Sequence, residues 1–406
     1  MPLFAVTSAT QFAYIKEATY GVTPVAGNGA FLRATGETLK FNVQKATSQE
    51  LRADRAISGA VTTYNAAAGG LNHHLSYNEY DPFIAGALMS AWTVYGTLGV
   101  QAAAASVTAT ATTLTAGAAT SGNDSWANLR KGQWFRLLAP TSANDGKLFR
   151  VSTSVAPTTT VITLDASTPA SVTGAIANTV VQTSWIANGV TPSSFTIEHQ
   201  LTDVAQIFAY RGMQPNVWDL DITSKAIVNT VFDFIGAGQS RGVVTTLPGT
   251  TAASKTFDIM NAAVGVATLW LGGAPLTSTK IKSLKLKVDN GLREQDAVGT
   301  LGLAGVGFGS ATITGSLEAY FADGALYDLF KTDTYTSLTV SVQDAAGNGY
   351  VITLPRVLFM THDVSAGAMN QDAMAALTFQ AFSDDQNATV ALRKEIFVDR
   401  VGVAAS

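Results

Sequence analysis

Along much of this chain apolar and polar residues alternate with a period of two, the pattern of a strand with one face buried. In SLKLKV at 283–288, Leu284, Leu286 and Val288 fall on one side and Lys285 and Lys287 on the other. In ATITGSLEAY, Ile313, Gly315, Leu317 and Ala319 share a face. VFDFI at 231–235 and TFQAF at 378–382 read as aromatic-rich strands. Two stretches change period. Asp81-Pro82 is followed by Phe83, Ala87 and Leu88 at helical spacing. This predicts a helix running to Trp92, with Asp81 as its N-cap and Pro82 at the first helical position. Asp323 opens a second, with Leu326, Leu329 and Phe330 on one side.

These elements recur in order. LNHHLSYNEYDPFIAGAL matches ITGSLEAYFADGALYDLF, with Leu75 on Leu317 and Asp81 on Asp323 at one common offset. FTIEHQ from Phe195 matches LTVSVQ from Leu338, and Pro215-Asn216-Val217 matches Pro355-Arg356-Val357. Upstream, TLKFNV with ELRADR resembles SLKLKV with GLREQD. The chain therefore reads as mainly β, with two tandem β-sandwich units that each carry one flanking helix. The second copy passes directly from Phe330 to Leu338. The first interposes roughly a hundred residues between Leu88 and Phe195, far beyond the usual loop of about 4–6. The expected organisation is 1–92 and 191–250 for the first unit, 251–406 for the second, and 93–190 for an inserted segment. That segment carries SVTATATTLTA, QWFRLLA, KLFRVSTSV and TTTVITLDA, separated by turn signals such as 142–146. They predict a small β-barrel-like domain whose core is Trp126, Trp134, Phe135 and Phe149.

Composition narrows the function. Only 13% of the 406 residues are charged, against about 25% in ordinary globular chains. Such a balance suits surfaces that meet other protein, where charge is depleted. The net charge is −4, and 191–406 holds 14 basic and 20 acidic groups. No basic patch of the kind that grips a phosphate backbone is present, which argues against tight nucleic-acid binding. Cysteine is absent, so disulfides and thiolate chemistry are excluded. The opening MPLFAVTSATQFAY lacks a basic start and an apolar core, and predicts synthesis in the cytoplasm without a signal peptide. LGLAGVGFG at 301–309 falls short of the roughly 18–20 apolar residues of a spanning helix, so no membrane insertion is expected.

Catalytic patterns fail on inspection. His73 and His74 are neighbours in a strand and point to opposite faces, which does not suit one metal ion. His199 follows Glu198 and His362 precedes Asp363, too little for a triad or a ligand set. Gly305, Gly307 and Gly309 alternate with too many glycines for a phosphate cradle, and Asp384-Asp385 lies in a polar turn. No catalytic, cofactor-binding or metal residue is expected, and the chain does not read as an enzyme.

The N-terminal half contains YIKEATYGVTP, FLRATGETL, SQELRADR and LSYNEYDPFIAGALMSAW. Later come FTIEHQ, YRGMQPNVWDLDI, TGSLEAYFADGALYDLF, GYVITLPRV and LTFQAF. In this order they resemble the major tail tube proteins of long-tailed, siphovirus-type bacteriophages, over most of the chain outside 93–190. The resemblance implies two packed sheets with a flanking helix, and strands of neighbouring subunits joined around a lumen. It further implies rings stacked into a tube in the virion tail. A tape-measure protein fills that tube before DNA passes at ejection, and tail-tip and tail-terminator proteins bound it. Rings of this kind are mostly hexameric. A duplicated chain is expected to close a ring of three with pseudo-six-fold symmetry, with six chains as the alternative.

In the family a matching loop reaches a neighbouring ring. The resemblance therefore makes Glu50, Arg52, Asp54 and Arg55 within 44–59, and Arg293, Glu294 and Asp296 within 289–299, the candidate inter-ring contacts. It also implies that the inserted segment decorates the outside. The same fold serves the inner tubes of contractile phage tails and related injection or secretion machines, which is the alternative function.

Overall fold

A computed structural model of the chain describes residues 4–94, 107–122, 125–139, 142–170, 174–176, 180–263, 266–276, 279–321, 324–365, 369, 371–385, 387 and 389–402. The first half supplies β1 (Lys40–Thr47), β2 (Ala60–His74), α1 (Asp81–Ala87), β3 (Phe195–Leu201), β4 (Gln206–Thr223) and β5 (Asn229–Gly236). Its strands pair antiparallel in the order β1-β2-β5-β4-β3. The second half supplies β6 (Ile281–Asp289), β7 (Thr312–Tyr320), α2 (Ala325–Lys331), β8 (Thr336–Gln343), β9 (Gly349–Ser365) and β10 (Met374–Ala381). These pair in the order β6-β7-β10-β9-β8. A last strand, β11 (Phe397–Val401), lies on the first part of β9.

Two irregularities recur in both halves, whereas the slips of β1·β2 at Gln44/Lys45 and of β6·β7 at Ile281/Ser283 do not correspond. The β3·β4 ladder slips between Phe195 and Ile197, and the β8·β9 ladder between Thr336 and Leu338. The β4·β5 ladder slips between Pro215 and Val217, and the β9·β10 ladder between Phe359 and Thr361. A bulge inserts one residue and bends the strand, so β4 and β9 each serve two pairings along their length. Glycine faces phenylalanine in both halves, Gly69 opposite Phe234 and Gly315 opposite Phe379. A Cβ at 315 would collide with the Phe379 ring and the Lys285 carbonyl. These pairings put Leu71, not Leu75, in the place of Leu317, and Phe359, not Pro355, in the place of Pro215. Both slips are of four residues. An even slip preserves which residues face the core, so alternation alone does not detect it.

β4 also pairs with β6, from Val217 opposite Asp289 to Thr223 opposite Ser283. Eight strands thus run continuously as β1-β2-β5-β4-β6-β7-β10-β9. One face of this run is core: Trp218, Phe232, Leu286, Leu317, Leu377 and Phe379 are all buried. The other carries Asp219, Asp233, Lys285, Lys287, Thr314 and Ser316. α1 closes the core through Phe83, whose ring lies 4.8 Å from Tyr14, 5.0 Å from Phe195 and 5.4 Å from Phe234.

Asp81 is not the cap of α1. Tyr80 holds that position, and Asp81 is the first helical residue, buried, with its carboxylate accepting from Tyr350 Oη at 2.6 Å and paired with Arg400. The partners of a cap are backbone amides; here a tyrosine and an arginine of the second half draw the carboxylate away. The helix stops at Ala87, short of Trp92, as the chain turns through Met89 at φ 47. Asp323 lies outside the described residues.

His73 and His74 point apart, as the strand period requires. His73 is buried and donates from Nδ1 to the Arg33 carbonyl at 2.8 Å, while His74 meets the Asn229 side chain at 2.9 Å. Burial pushes the His73 imidazole down to about 4. The unfolded chain therefore takes up this proton below pH 6.5 and the folded chain only near pH 4, so stability is lost as pH falls through that window. Between pH 7 and pH 5 the wild-type chain is expected to lose about 2 kcal/mol more than His73→Gln. Urea midpoints at the two pH values measure this, and equal losses would rule out the histidine as the cause.

The inserted segment forms two small sheets. One holds Leu148–Arg150, Trp134–Leu138 and Val180–Gln182; the other holds Val161–Thr163, Thr113–Ala116, Val107–Ala109 and Gly174–Ile176. Among the described residues a single bridge, Val151 to Leu164, links them, and they do not close into the barrel that the sequence predicts. With one bridge and no ladder between the two sheets among these residues, nothing carries the continuous stagger that closure requires. Trp126, Phe135 and Phe149 form the segment's own core with Leu114 and Ile162. Trp134 does not join them. Next to Phe135 in an extended strand it faces the other way, onto Trp270 at 4.5 Å, Val351 and Val401 of the main body. At the two ends of the segment, Thr93–Val94 and Ser184–Ala187 pair with each other, and the latter also with β11.

Candidate assembly surfaces

The two candidate loops are built differently. Residues 48–59 join β1 to β2 and are almost wholly exposed, Leu51 and Ile57 included. Arg52 donates twice to Asp54, at 3.0 and 2.7 Å, and Asp54 also accepts from the Ala56 amide. Arg55 turns the chain at φ 58, and the Glu50 amide bonds Ser48 Oγ. These contacts shape the loop without tying it to the body. In the other loop, Arg293–Gln295 pairs with Gly305–Gly307. Arg293, Glu294 and Asp296 are exposed, but Leu292 and Leu303 beneath them are buried. Glu294 accepts from Tyr64 of β2, and the Asn65 amide donates to the Leu301 carbonyl at 3.0 Å. The second-half loop is thus seated on the first half. No hydrogen bond or ion pair among the described residues brings the two candidate groups together.

A further surface escaped the sequence reading: the ends of the eight-strand run. Among the described residues β1 pairs on one side only, with β2, and its residues are almost all exposed. Beyond Phe359, β9 pairs among the described residues only with β10, and 360–365 are exposed apart from half-buried His362. Free strand edges present unpaired amides and carbonyls, ready to accept another strand. Between these edges the polar face carries matched charge. Lys285 lies 3.2 Å from Asp221, Lys282 3.2 Å from Glu318, and Lys287 3.8 Å from Asp289. Burial raises the Asp219 and Asp233 carboxyls above the usual carboxylate range, and Lys287 opposes both shifts.

A family profile described as phage tail tube protein matches residues 7–381, nearly the whole of this β framework. The chain belongs to that family. No curated protein sequence matches it. It is accordingly a structural component of a phage tail, a protein that self-assembles into a tube.

In this tail tube protein the inserted segment is fastened to the body by buried polar contacts. Arg130 donates to both carboxylate oxygens of Asp399 on β11, at 2.7 and 2.6 Å, and the Trp134 amide adds a bond at 3.3 Å. The guanidinium lies 4.0 Å over the Phe397 ring. Burial pushes the Asp399 carboxyl up to about 6 against the pull of Arg130, which leaves it ionised at neutral pH. Arg136 reaches Gln343 at 2.6 Å and the Gly347 carbonyl in the β8–β9 turn. No local motif announces these contacts, because Arg130 and Asp399 are 269 positions apart.

Proposed function

We propose that three copies of this chain close a pseudo-six-fold ring, and that such rings stack into the tail tube through which DNA is ejected. The observation that carries this reading is the repeated strand order with bulges at matching places, joined inside the chain by the β4·β6 pairing. A chain that holds two equivalent units already joined edge to edge needs half as many copies to complete a ring. Joining the remaining edges removes the strands that otherwise invite uncontrolled pairing. A fixed rotation between stacked rings then yields an open filament. Facing a lumen, lysines matched to carboxylates would hold a passing polyanion less firmly than a basic patch. Tape-measure, tail-tip and tail-terminator proteins are the partners this role requires, and the inserted segment lies on the outer surface.

Negative-stain microscopy of the concentrated protein, with native mass determination, tests the proposal. Hollow tubes or three-chain rings are expected. Six-chain rings would overturn the stoichiometry, and a species that never associates, even with a tail tip, would overturn the function.

The exposed 48–59 loop is the inter-ring contact in this reading, through Glu50, Arg52, Asp54 and Arg55, with Arg293, Glu294 and Asp296 supporting it. Arg52→Glu with Arg55→Glu is expected to leave the melting temperature within about 2 °C, since exposed pairs stabilise a fold little. It should nevertheless abolish stacking, leaving rings without tubes in micrographs. Tubes of normal length from this variant would remove the loop from the account.

A further inference from the structure

The eight-strand run ends on two free edges, one on β1 and one on the last third of β9. Inside the chain the strands that hold the corresponding places, β6 and β4, already pair with one another. We propose that the free edge of β9 takes β1 of a second copy of this chain, in the register that β4 imposes on β6. This rests on the ring reading above and adds which strands meet and at which residues.

The register follows from the shared irregularities. Trp218 lies opposite Phe232, and His362 opposite Leu377, each one residue past its bulge's far side. Asp363 therefore stands where Asp219 stands. Leu286 lies opposite Gly315, and Lys40 lies opposite Ala68, which places Leu39 against Gly69. Lys40 therefore stands where Lys287 stands. Within the chain Asp219 is the partner of Lys287, so between chains Asp363 becomes the partner of Lys40, with His362 opposite Phe41 and Thr361 opposite Asn42. The charge match recurs although nothing in deriving the register used charge. Opposite charges directly across a ladder are favourable. Lys40 and Asp363 are both exposed and have no ion-pair partner among the described residues. On the core side, His362 rests against Tyr327 and Phe330 of α2, where half-buried Phe41 would extend the apolar layer.

A rival register exists. Laying TLKFNV directly on SLKLKV equates Lys40 with Lys285, which slides β1 by two residues and sets Asn42 against Asp363. Cysteine cross-linking separates the two, since the chain has no cysteine of its own. Residues directly opposite one another have Cα atoms about 4.5–5.5 Å apart, within disulfide reach, whereas a two-residue slip adds roughly 6–7 Å along the strand. Under mild oxidation Lys40→Cys/Asp363→Cys is expected to convert most assembled protein to covalent oligomers on a non-reducing gel. Asn42→Cys/Asp363→Cys should yield at least about tenfold less.

In parallel, Lys40→Asp should abolish rings in micrographs, and Lys40→Asp with Asp363→Lys should restore them. Tubes that lack the Lys40–Asp363 cross-link, or show the Asn42–Asp363 one in its place, overturn the register while the ring reading stands. A chain that neither assembles nor cross-links overturns both.

Discussion

Replacing Arg130 by alanine is expected to cost the tail tube protein about 3–5 kcal/mol, because it strands a fully buried carboxylate. Asp399 has 0% exposure and accepts both of its side-chain-to-side-chain bonds from Arg130. Without the guanidinium, the Trp134 amide is the one hydrogen-bond donor left to it among the described residues, with the Arg150 charge acting only through space. The carboxylate then stays charged and unpaired, takes up a proton, or draws in water by levering the inserted segment off β11. Each route costs free energy, and the last would also uncover Trp270. Arg130→Met with Asp399→Leu should come close to wild type, since exchanging a buried pair for apolar residues of similar volume is often neutral. Guanidinium denaturation of the three proteins measures the effect. A single variant as stable as the double would mean that the pair contributes nothing to docking.

Phe83→Ala is expected to destabilise the fold by a similar amount, about 3–5 kcal/mol. The Phe83 side chain is fully buried and meets Tyr14, Phe195, Phe232 and Phe234, the last two on β5 and Phe195 on β3. It is therefore the point where α1 packs against both β3 and β5. Removing it leaves a cavity bounded by rings that cannot collapse without shifting strands, and it forfeits the edge-on contacts with Phe195 and Phe234. The control is Tyr327 in α2, which is 42% exposed and rests on His362. Its truncation to alanine should cost well under half as much. The check is the shift in denaturant midpoint at unchanged slope.

Much of this architecture can be read from residue order. The strands with one solvated face declare themselves, because Lys285 and Lys287 between Leu284, Leu286 and Val288 leave one arrangement that buries the apolar set. The first helix is marked by Asp81-Pro82, although the aspartate serves a tyrosine and an arginine far along the chain. What stays hidden is whatever leaves alternation unchanged. A slip of four residues preserves every facing, so Leu75 passes for Leu71. In Trp134–Leu138 nearly every side chain is buried, so the run gives no sign of which residue faces the small core and which the body. The polar loops are legible as loops. The free edges of β1 and β9 are not, because an edge strand and a paired one can share a side-chain pattern and differ only in the neighbour that each lacks.

The pairing of β4 with β6 alters how an assembly built from this chain would begin. Two tethered strands meet at an effective concentration in the millimolar range, whatever the amount of free protein. In a ring of such chains every second seam is therefore set by folding and only the alternate seams by dilution. If three copies close the ring, as proposed, closure needs three encounters rather than six, and its onset should depend less steeply on protein concentration than for an unduplicated subunit. While waiting, each chain exposes one complementary pair of edges instead of two, which halves its opportunities for misjoining.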